Sequence, residues 1–141
     1  MELEKKMLSN DWSIMYEKAK EVLQERQISK FIEAGSVAAA IKTVTGNIYV
    51  GVCFDTSCSL GMCAERNAVF GAYCKGYRKE DIIGLAIVAD CSPIASPCGA
   101  CRQVLSELVD LEMPIFLANK EKVEKHTIGE LLPMVFIGES L

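Results

Sequence analysis

Two short segments of the chain contain residue types that could bind a metal ion and transfer protons. Cys63 and Glu65 lie in the first segment, and Cys98 and Cys101 follow Pro97 in the second. Thiolates are strong zinc ligands, and two cysteines separated by two residues can chelate one ion from a single turn. If the two segments converge, Cys63, Cys98 and Cys101 leave one tetrahedral position open. An open position is typical of a catalytic zinc site, where a water molecule can be activated as a nucleophile.

Glu65 is the candidate for proton transfer. It lies two residues after Cys63, and on a helix this offset turns its side chain away from the direction of the ligand. Its carboxyl group can therefore lie beside the metal without coordinating it. In that position it could take a proton from water and deliver it to a ring nitrogen and a leaving amine. Three thiolates, a non-ligating glutamate and a Pro-Cys-x-x-Cys segment together match the signature of zinc-dependent base deaminases.

The other cysteines and the single histidine allow simpler interpretations. Cys98-x-x-Cys101 alone could be a redox pair or half of a structural zinc site; Cys63-Ala64-Glu65 makes both less favoured. Seven cysteines in a reducing compartment favour metal binding or catalysis over disulfides. His126 is expected to be a solvated side chain. Small core positions are expected for Cys58, Cys74 and Cys91, and also for Cys53 unless it lines a pocket.

Hydrophobic patterning predicts the elements that must position these residues. Small alanines along one face of the helix after Cys63 would let it pack closely on a sheet, and Thr45-Gly46-Asn47 is typical of a hairpin turn. The order favours a layered α/β domain in which helices pack on a mostly buried sheet. The predicted helices are Asp11–Gln27, Cys63–Lys75, Cys98–Asp110 and Ile128–Leu132, and the predicted strands are Ser36–Val44, Ile48–Phe54, Ile82–Ala89, Pro114–Ala118 and Lys122–Thr127.

Length and charge limit the possible classes of protein. The 141 residues suit one domain over 1–141, and the formal net charge of −4 argues against a protein that mainly grips a phosphate backbone. No stretch is long and apolar enough to span a membrane, and Met1–Asn10 lacks the apolar core of a signal peptide. We therefore expect a cytoplasmic protein with no membrane partner.

The two cysteine segments resemble a known family. Cys-Ala-Glu-Arg at 63–66 and Pro-Cys-Gly-Ala-Cys-Arg-Gln at 97–103 are similar to the paired signatures of small, homotetrameric cytidine deaminases. The resemblance covers roughly residues 11–136. It implies a three-layer α/β/α fold with a mixed sheet of about five strands. It also implies a Zn²⁺-dependent hydrolytic deaminase that acts on the exocyclic amine of a cytosine nucleoside or a related aminated heterocycle and releases ammonia.

The resemblance also implies a role for each matching residue. Cys63, Cys98 and Cys101 match the zinc ligands, Glu65 the proton shuttle, and Arg66 an arginine that offsets the thiolate charge. The backbone N–H of Ala64 matches a group that helps to bind the attacking oxygen. Phe136 matches an aromatic residue that packs on the substrate base, often in a neighbouring subunit.

Departures from the family concern the substrate. An Asn-x-Glu pair that binds ribose in cytidine deaminases is replaced by Cys53 and Asp55, and the base-stacking aromatic falls near Gly35. We therefore expect Cys53 and Asp55 to contact the substrate, with weak or absent activity on plain cytidine. The alternative is a blasticidin S-type or other non-cytidine aminohydrolase. A polynucleotide base deaminase and a non-catalytic zinc-stabilised module are less favoured.

Overall fold

The computed structural model describes residues 11–138, and within them helices and strands alternate along the chain. A 3-10 turn, Lys79–Asp81, leads into the fourth strand. The helices are α1 (Asp11–Val22), α2 (Ala64–Cys74), α3 (Gly99–Leu108) and α4 (Ile128–Leu131), and the strands are β1 (Arg26–Ser29), β2 (Ile32–Thr43), β3 (Ile48–Thr56), β4 (Ile82–Ala89), β5 (Ile115–Ala118) and β6 (Val123–His126).

Six strands among the described residues form one mixed sheet in the order β1-β2-β4-β5-β6, and β3 pairs with β2. β2 runs antiparallel to both β3 and β4, whereas β4 and β5 are parallel. β3 and β4 therefore point in the same direction, and their carboxyl ends lie at the same end of the sheet. The mixed α/β sheet predicted from the sequence is confirmed, with one strand more than expected.

Helices cover both faces of this sheet. On one face, Met15 and Ala19 of α1 pack with Ala38 and Ala40 of β2 and with Ala86 of β4. On the other face, the alanines of α2 and Leu105 of α3 pack against Ala39, Ile41, Leu85 and Ile87. The side chains of β2 alternate between these two cores, as expected for a strand buried on both faces. The result is the three-layer α/β/α arrangement that the resemblance implied.

The N-terminal elements differ most from the sequence-based prediction. The predicted helix Asp11–Gln27 ends at Val22, and Arg26–Ser29 instead forms β1, which pairs with the start of β2. β2 also begins at Ile32 rather than Ser36, because an irregularity between Ala34 and Ala38 interrupts its alternating pattern. Gly35 permits this bulge, since its φ of +88° is in the region that favours glycine. The ends of the other predicted elements agree with the structure to within two residues.

A buried ion pair anchors α1 to the sheet. Lys42 of β2 donates a hydrogen bond to the carboxylate of Asp11, the first residue of α1, and both side chains are largely shielded from solvent. Among residues 11–138, no helix combines the length and apolar character needed to cross a membrane.

Candidate active site

Three cysteine side chains meet where two helices begin. Cys63 is the N-cap residue of α2 and Cys98 that of α3, and Cys101 lies in the first turn of α3. The three Sγ atoms all lie within 4.8 Å of one another, and those of Cys63 and Cys98 are 3.5 Å apart. Within the described range of 11–138, this is the one group of three or more cysteine, histidine or acidic side chains close enough to share a metal ion.

Close packing against β3 fixes the start of α2. A Cβ atom on Gly51 would lie 2.7 Å from the carbonyl oxygen of Ala64 and 2.7 Å from the backbone nitrogen of Ala68, so only glycine permits the helix to approach this closely. Asn67 Nδ2 donates a 2.8 Å hydrogen bond to the carbonyl of Val52. Phe54 and Met62 then exchange two backbone hydrogen bonds just before Cys63. The strand thus determines where Cys63 and Glu65 lie.

Arg66 lies against the thiol cluster. Its Nη2 donates a hydrogen bond of 3.4 Å to Cys63 Sγ. Hydrogen bonding to the thiol of Cys63 raises the pKa of Arg66, and Cys101 adds to this effect. Nε of Arg66 is buried and has no hydrogen-bond partner. An arginine in this position can offset part of the negative charge of three thiolates.

The thiols of α3 differ in acidity. Burial raises the pKa of Cys98, but hydrogen bonds from the backbone N–H of Cys101 and from the thiol of Cys63 outweigh it, so the net pKa is lowered. Burial and the nearby Glu65 carboxylate raise the pKa of Cys101. A bound cation would reverse the effect on Cys101, since metal-ligating thiols are deprotonated outright.

Glu65 lies buried beside the cluster but is not part of it. Its side chain is 5 % exposed, and burial raises the pKa of its carboxyl group, partly offset by hydrogen bonds from its own backbone N–H and from Cys101. A buried carboxyl group with a raised pKa can both accept and release a proton closer to neutral pH than an ordinary glutamate.

A cavity of about 380 Å³ opens beside Cys63 and is of the size that small ligands occupy. Cys53 and Asp55 project into it from the same face of β3, together with Thr56, Ser59 and Met62. Ser36 Oγ lies 3.2 Å from Cys53 Sγ, directly behind this wall of the cavity. The sequence did not indicate Ser36, because only the pairing of β2 with β3 brings the two residues together. A cavity of about 440 Å³ between α1, β1 and β3 has no cysteine or carboxylate in its lining.

Phe136, predicted as a substrate-binding residue, does not line this cavity. The residue is 63 % exposed, and its carbonyl accepts a 3.4 Å hydrogen bond from Gln103 Nε2. It lines a different cavity, with Ser106 and Glu107 along α3. Ala64 is the first residue of α2, so its backbone N–H has no acceptor within the helix.

The remaining cysteines correct one prediction. Cys58, Cys74 and Cys91 are exposed rather than buried in the core, because they lie in the loop after β3, at the end of α2 and in the loop after β4. Cys53 is half-buried on the cavity wall. His126 hydrogen-bonds to Glu124, with 3.0 Å between Nε2 and Oε1, and its Nδ1 lies 3.5 Å from a carboxylate oxygen of Glu130.

Comparison with known proteins agrees with this geometry. No protein-family model matches the chain. A cytidine deaminase from Sporosarcina psychrophila is 43 % identical over 107 residues, which cover 74 % of this chain and 77 % of that protein. One from Halalkalibacterium halodurans is 36 % identical over 129 residues, covering 86 % and 93 %. The crystal structure of cytidine deaminase from Burkholderia pseudomallei superposes with a TM-score of 0.78 at 32 % identity, covering 92 % of this chain and 100 % of that one.

Proposed function

Because the chain belongs to the cytidine deaminase family and is a hydrolytic deaminase, we propose that it removes the exocyclic amine of a cytosine nucleoside or a related aminated heterocycle at the three-cysteine site. One observation carries this proposal. Two helix N-termini bring Cys63, Cys98 and Cys101 together beside the buried carboxyl group of Glu65, next to a cavity that can hold a small ring.

The donor set fits zinc. Zn–S bonds of about 2.3 Å in a tetrahedron place sulfur atoms about 3.8 Å apart, and the Cys63–Cys98 separation of 3.5 Å is close to that value. Three cysteine ligands leave one position for water or substrate, whereas a structural site usually closes with a fourth residue. When bound, zinc would lower the pKa of a coordinated water molecule and so supply the nucleophile for hydrolysis.

Glu65 would carry the protons of the reaction. Hydrolytic deamination forms a carbon–oxygen bond to water, breaks the bond to the amine, and releases ammonia. The carboxylate first takes a proton from water, then gives it to the ring nitrogen, and finally assists protonation of the leaving amine. The raised pKa of Glu65 suits both directions of this transfer. Arg66 would limit the negative charge of the site, and the N–H of Ala64, which has no acceptor within α2, can donate to the oxygen that becomes bound to the ring.

The cavity wall supports the prediction of altered substrate recognition. Cys53 is a weak hydrogen-bonding group, and Asp55 is one methylene shorter than the glutamate of the family. Both line the cavity beside Cys63, where a sugar attached to the reacting ring could lie. Weak activity on plain cytidine, and better activity on another aminated ring or a modified nucleoside such as blasticidin S, therefore stay predictions. The net charge of −4 gives little attraction for a polynucleotide.

We also propose that the enzyme is a cytoplasmic homotetramer. Met134, Phe136 and Ile137 are exposed in the segment after α4 and supply apolar surface for a neighbouring subunit. In such an assembly Phe136 would reach the cavity of another subunit, which accounts for its distance from the cavity of its own chain. All seven cysteines are unpaired, as expected in a reducing compartment.

Glu65→Gln tests the proposed chemistry. Glutamine keeps the shape of the side chain but cannot exchange a proton, so the variant should fold, keep about one zinc ion per subunit, and lose on the order of 10²–10⁴ in turnover. Ammonia release from a panel of cytidine, deoxycytidine, blasticidin S and free bases measures the loss, and metal analysis measures zinc.

Glu21→Gln is the matched control, because Glu21 is an exposed glutamate on α1, which packs on the other face of the sheet from α2 and α3. It should retain full turnover. A Glu65→Gln enzyme within tenfold of the wild type would contradict the role of Glu65. Freshly purified protein without zinc, or with four protein ligands to it, would contradict the metal site.

A further inference from the structure

Arg102 connects three parts of the molecule next to the cysteine cluster. It follows Cys101 in α3, and its guanidinium group donates three hydrogen bonds. Nε donates to the carbonyl of Pro97 at 2.8 Å, Nη2 to Ser96 Oγ at 3.2 Å, and Nη1 to the carbonyl of Leu131 at 2.6 Å. Two of these acceptors belong to the segment directly before Cys98, and the third is the last residue of α4.

We propose that Arg102 is a positioning residue that holds Cys98 in the geometry of a metal ligand and joins it to the C-terminal segment. This inference rests on the proposed zinc site. Cys98 needs such support, because residues 90–97 between β4 and α3 contain neither helix nor strand. Cys98 is also the most exposed of the three cysteines, whereas Cys63 is half-buried and Cys101 fully buried.

The planar shape of arginine is essential to this arrangement. Its fork of N–H groups reaches acceptors on both sides at fixed angles, whereas the ammonium group of lysine is a point charge on a flexible stem. Leu131 provides a carbonyl at the end of a short helix, where intrahelical donors are lacking, so an external donor is needed there. A lysine at position 102 would keep the charge but could not make the three bonds together.

Loss of the hydrogen bonds made by the Arg102 guanidinium group should be visible as faster release of zinc. A metal ion leaves a three-cysteine site by successive detachment of its ligands, and the exposed thiol of Cys98 is the one most easily detached. Without the bonds to Ser96 and Pro97, Cys98 should detach more often. Two lost hydrogen bonds of ordinary strength correspond to roughly a tenfold faster release.

The experiment compares zinc-loaded wild type, Arg102→Lys and Arg78→Lys. Arg78 also donates to two backbone carbonyls, those of Tyr73 and Tyr77, but lies beyond the other end of α2 from Cys63. Zinc transfer to an excess of a chromophoric chelator gives the release rate, and thermal unfolding gives stability. The same three proteins are also prepared with cobalt in place of zinc, and their absorption spectra are measured, because the sulfur-to-cobalt charge-transfer bands report the ligand geometry directly.

Arg102→Lys should release zinc about tenfold faster and show altered charge-transfer bands, whereas Arg78→Lys should match the wild type in both. Release at the wild-type rate with unchanged bands would overturn the proposal, even if Arg102→Lys is less stable. Should Arg102→Lys fail to fold, Ser96→Ala removes one of the three bonds and should release zinc about threefold faster. A wild-type rate there overturns the proposal too. Absence of zinc from the wild type would instead overturn the proposed metal site on which this inference rests.

Discussion

Replacing Gly51 by alanine tests whether the close approach of α2 to β3 sets the position of the proposed catalytic groups, Cys63 and Glu65. The added Cβ would lie 2.7 Å from two backbone atoms of the helix, in Ala64 and Ala68, and 2.8 Å from Cβ of Asn67. Ordinary contacts of this kind begin at 3.4 Å. Backbone atoms cannot rotate away as a side chain can, so the helix has to move outwards by about 0.7 Å.

Both activity and stability should respond to this shift. Cys63 and Glu65 flank Ala64 and move with it, and a displacement of about 1 Å in a catalytic group can cost about 10²-fold in rate. We expect kcat/KM to fall by roughly 10- to 100-fold. Overpacking of a core contact costs about 1–3 kcal/mol, which for a chain of this size lowers the unfolding midpoint by roughly 3–10 °C.

Gly71→Ala is the control, because Gly71 lies on the same helix and an added Cβ there has no atom within 4 Å. Replacing a glycine inside a helix stabilises it by about 0.8–1 kcal/mol, so this variant should unfold a few degrees higher and keep its activity. Ammonia release and thermal unfolding of both variants are the measurements. Gly51→Ala with activity within threefold of the wild type and no loss of stability would refute the argument that the helix is held by this contact.

Two further predictions concern the substrate and the assembly. Changing Cys53 to Asn together with Asp55 to Glu should raise kcat/KM for cytidine, because the double variant restores hydrogen-bonding groups for a sugar. If the wild type strongly prefers cytidine and the double variant shows no gain, the predicted role of these two positions in substrate choice is wrong. Light scattering at micromolar concentration should show a tetramer, and a monomer would contradict the proposed assembly. Phe136→Ala should lower kcat/KM without loss of zinc.

The sequence predicted the elements that are apolar along their whole length. The bounds of β4, Ile82–Ala89, agree to the residue, because every side chain of this strand is buried and its composition shows this directly. β1 was missed because all four of its residues are exposed and only Ile28 is apolar, so neither alternation nor hydrophobicity marks it. It is a strand only because the start of β2 pairs with it. Non-local pairing of this kind leaves no local signal.

The cysteines also divide into those whose position could be predicted from the sequence and those whose position could not. Cys63, Cys98 and Cys101 were recognised as a set because their spacing relative to Glu65 and Pro97 has a chemical meaning. Cys58, Cys74 and Cys91 were expected in the core on residue type alone, and the structure shows them exposed. Residue type predicts burial only on average, whereas a spacing pattern that serves one reaction constrains every member of the set.

The topology explains why cysteines 35 residues or more apart in the chain can form one site. β3 and β4 are both antiparallel to β2, so their carboxyl ends lie at the same end of the sheet. α2 follows β3 and α3 follows β4, so both helices begin at that end, on the same face. The fold thus brings the N-cap cysteines of the two helices together. The finer positions of these cysteines depend on residues outside the cluster. Gly51 sets how closely α2 approaches, and Arg102 sets the path of the chain into Cys98. Gly51 acts through the absence of a side chain, and Arg102 through hydrogen bonds to Ser96, Pro97 and Leu131, so both roles emerge only from the three-dimensional contacts.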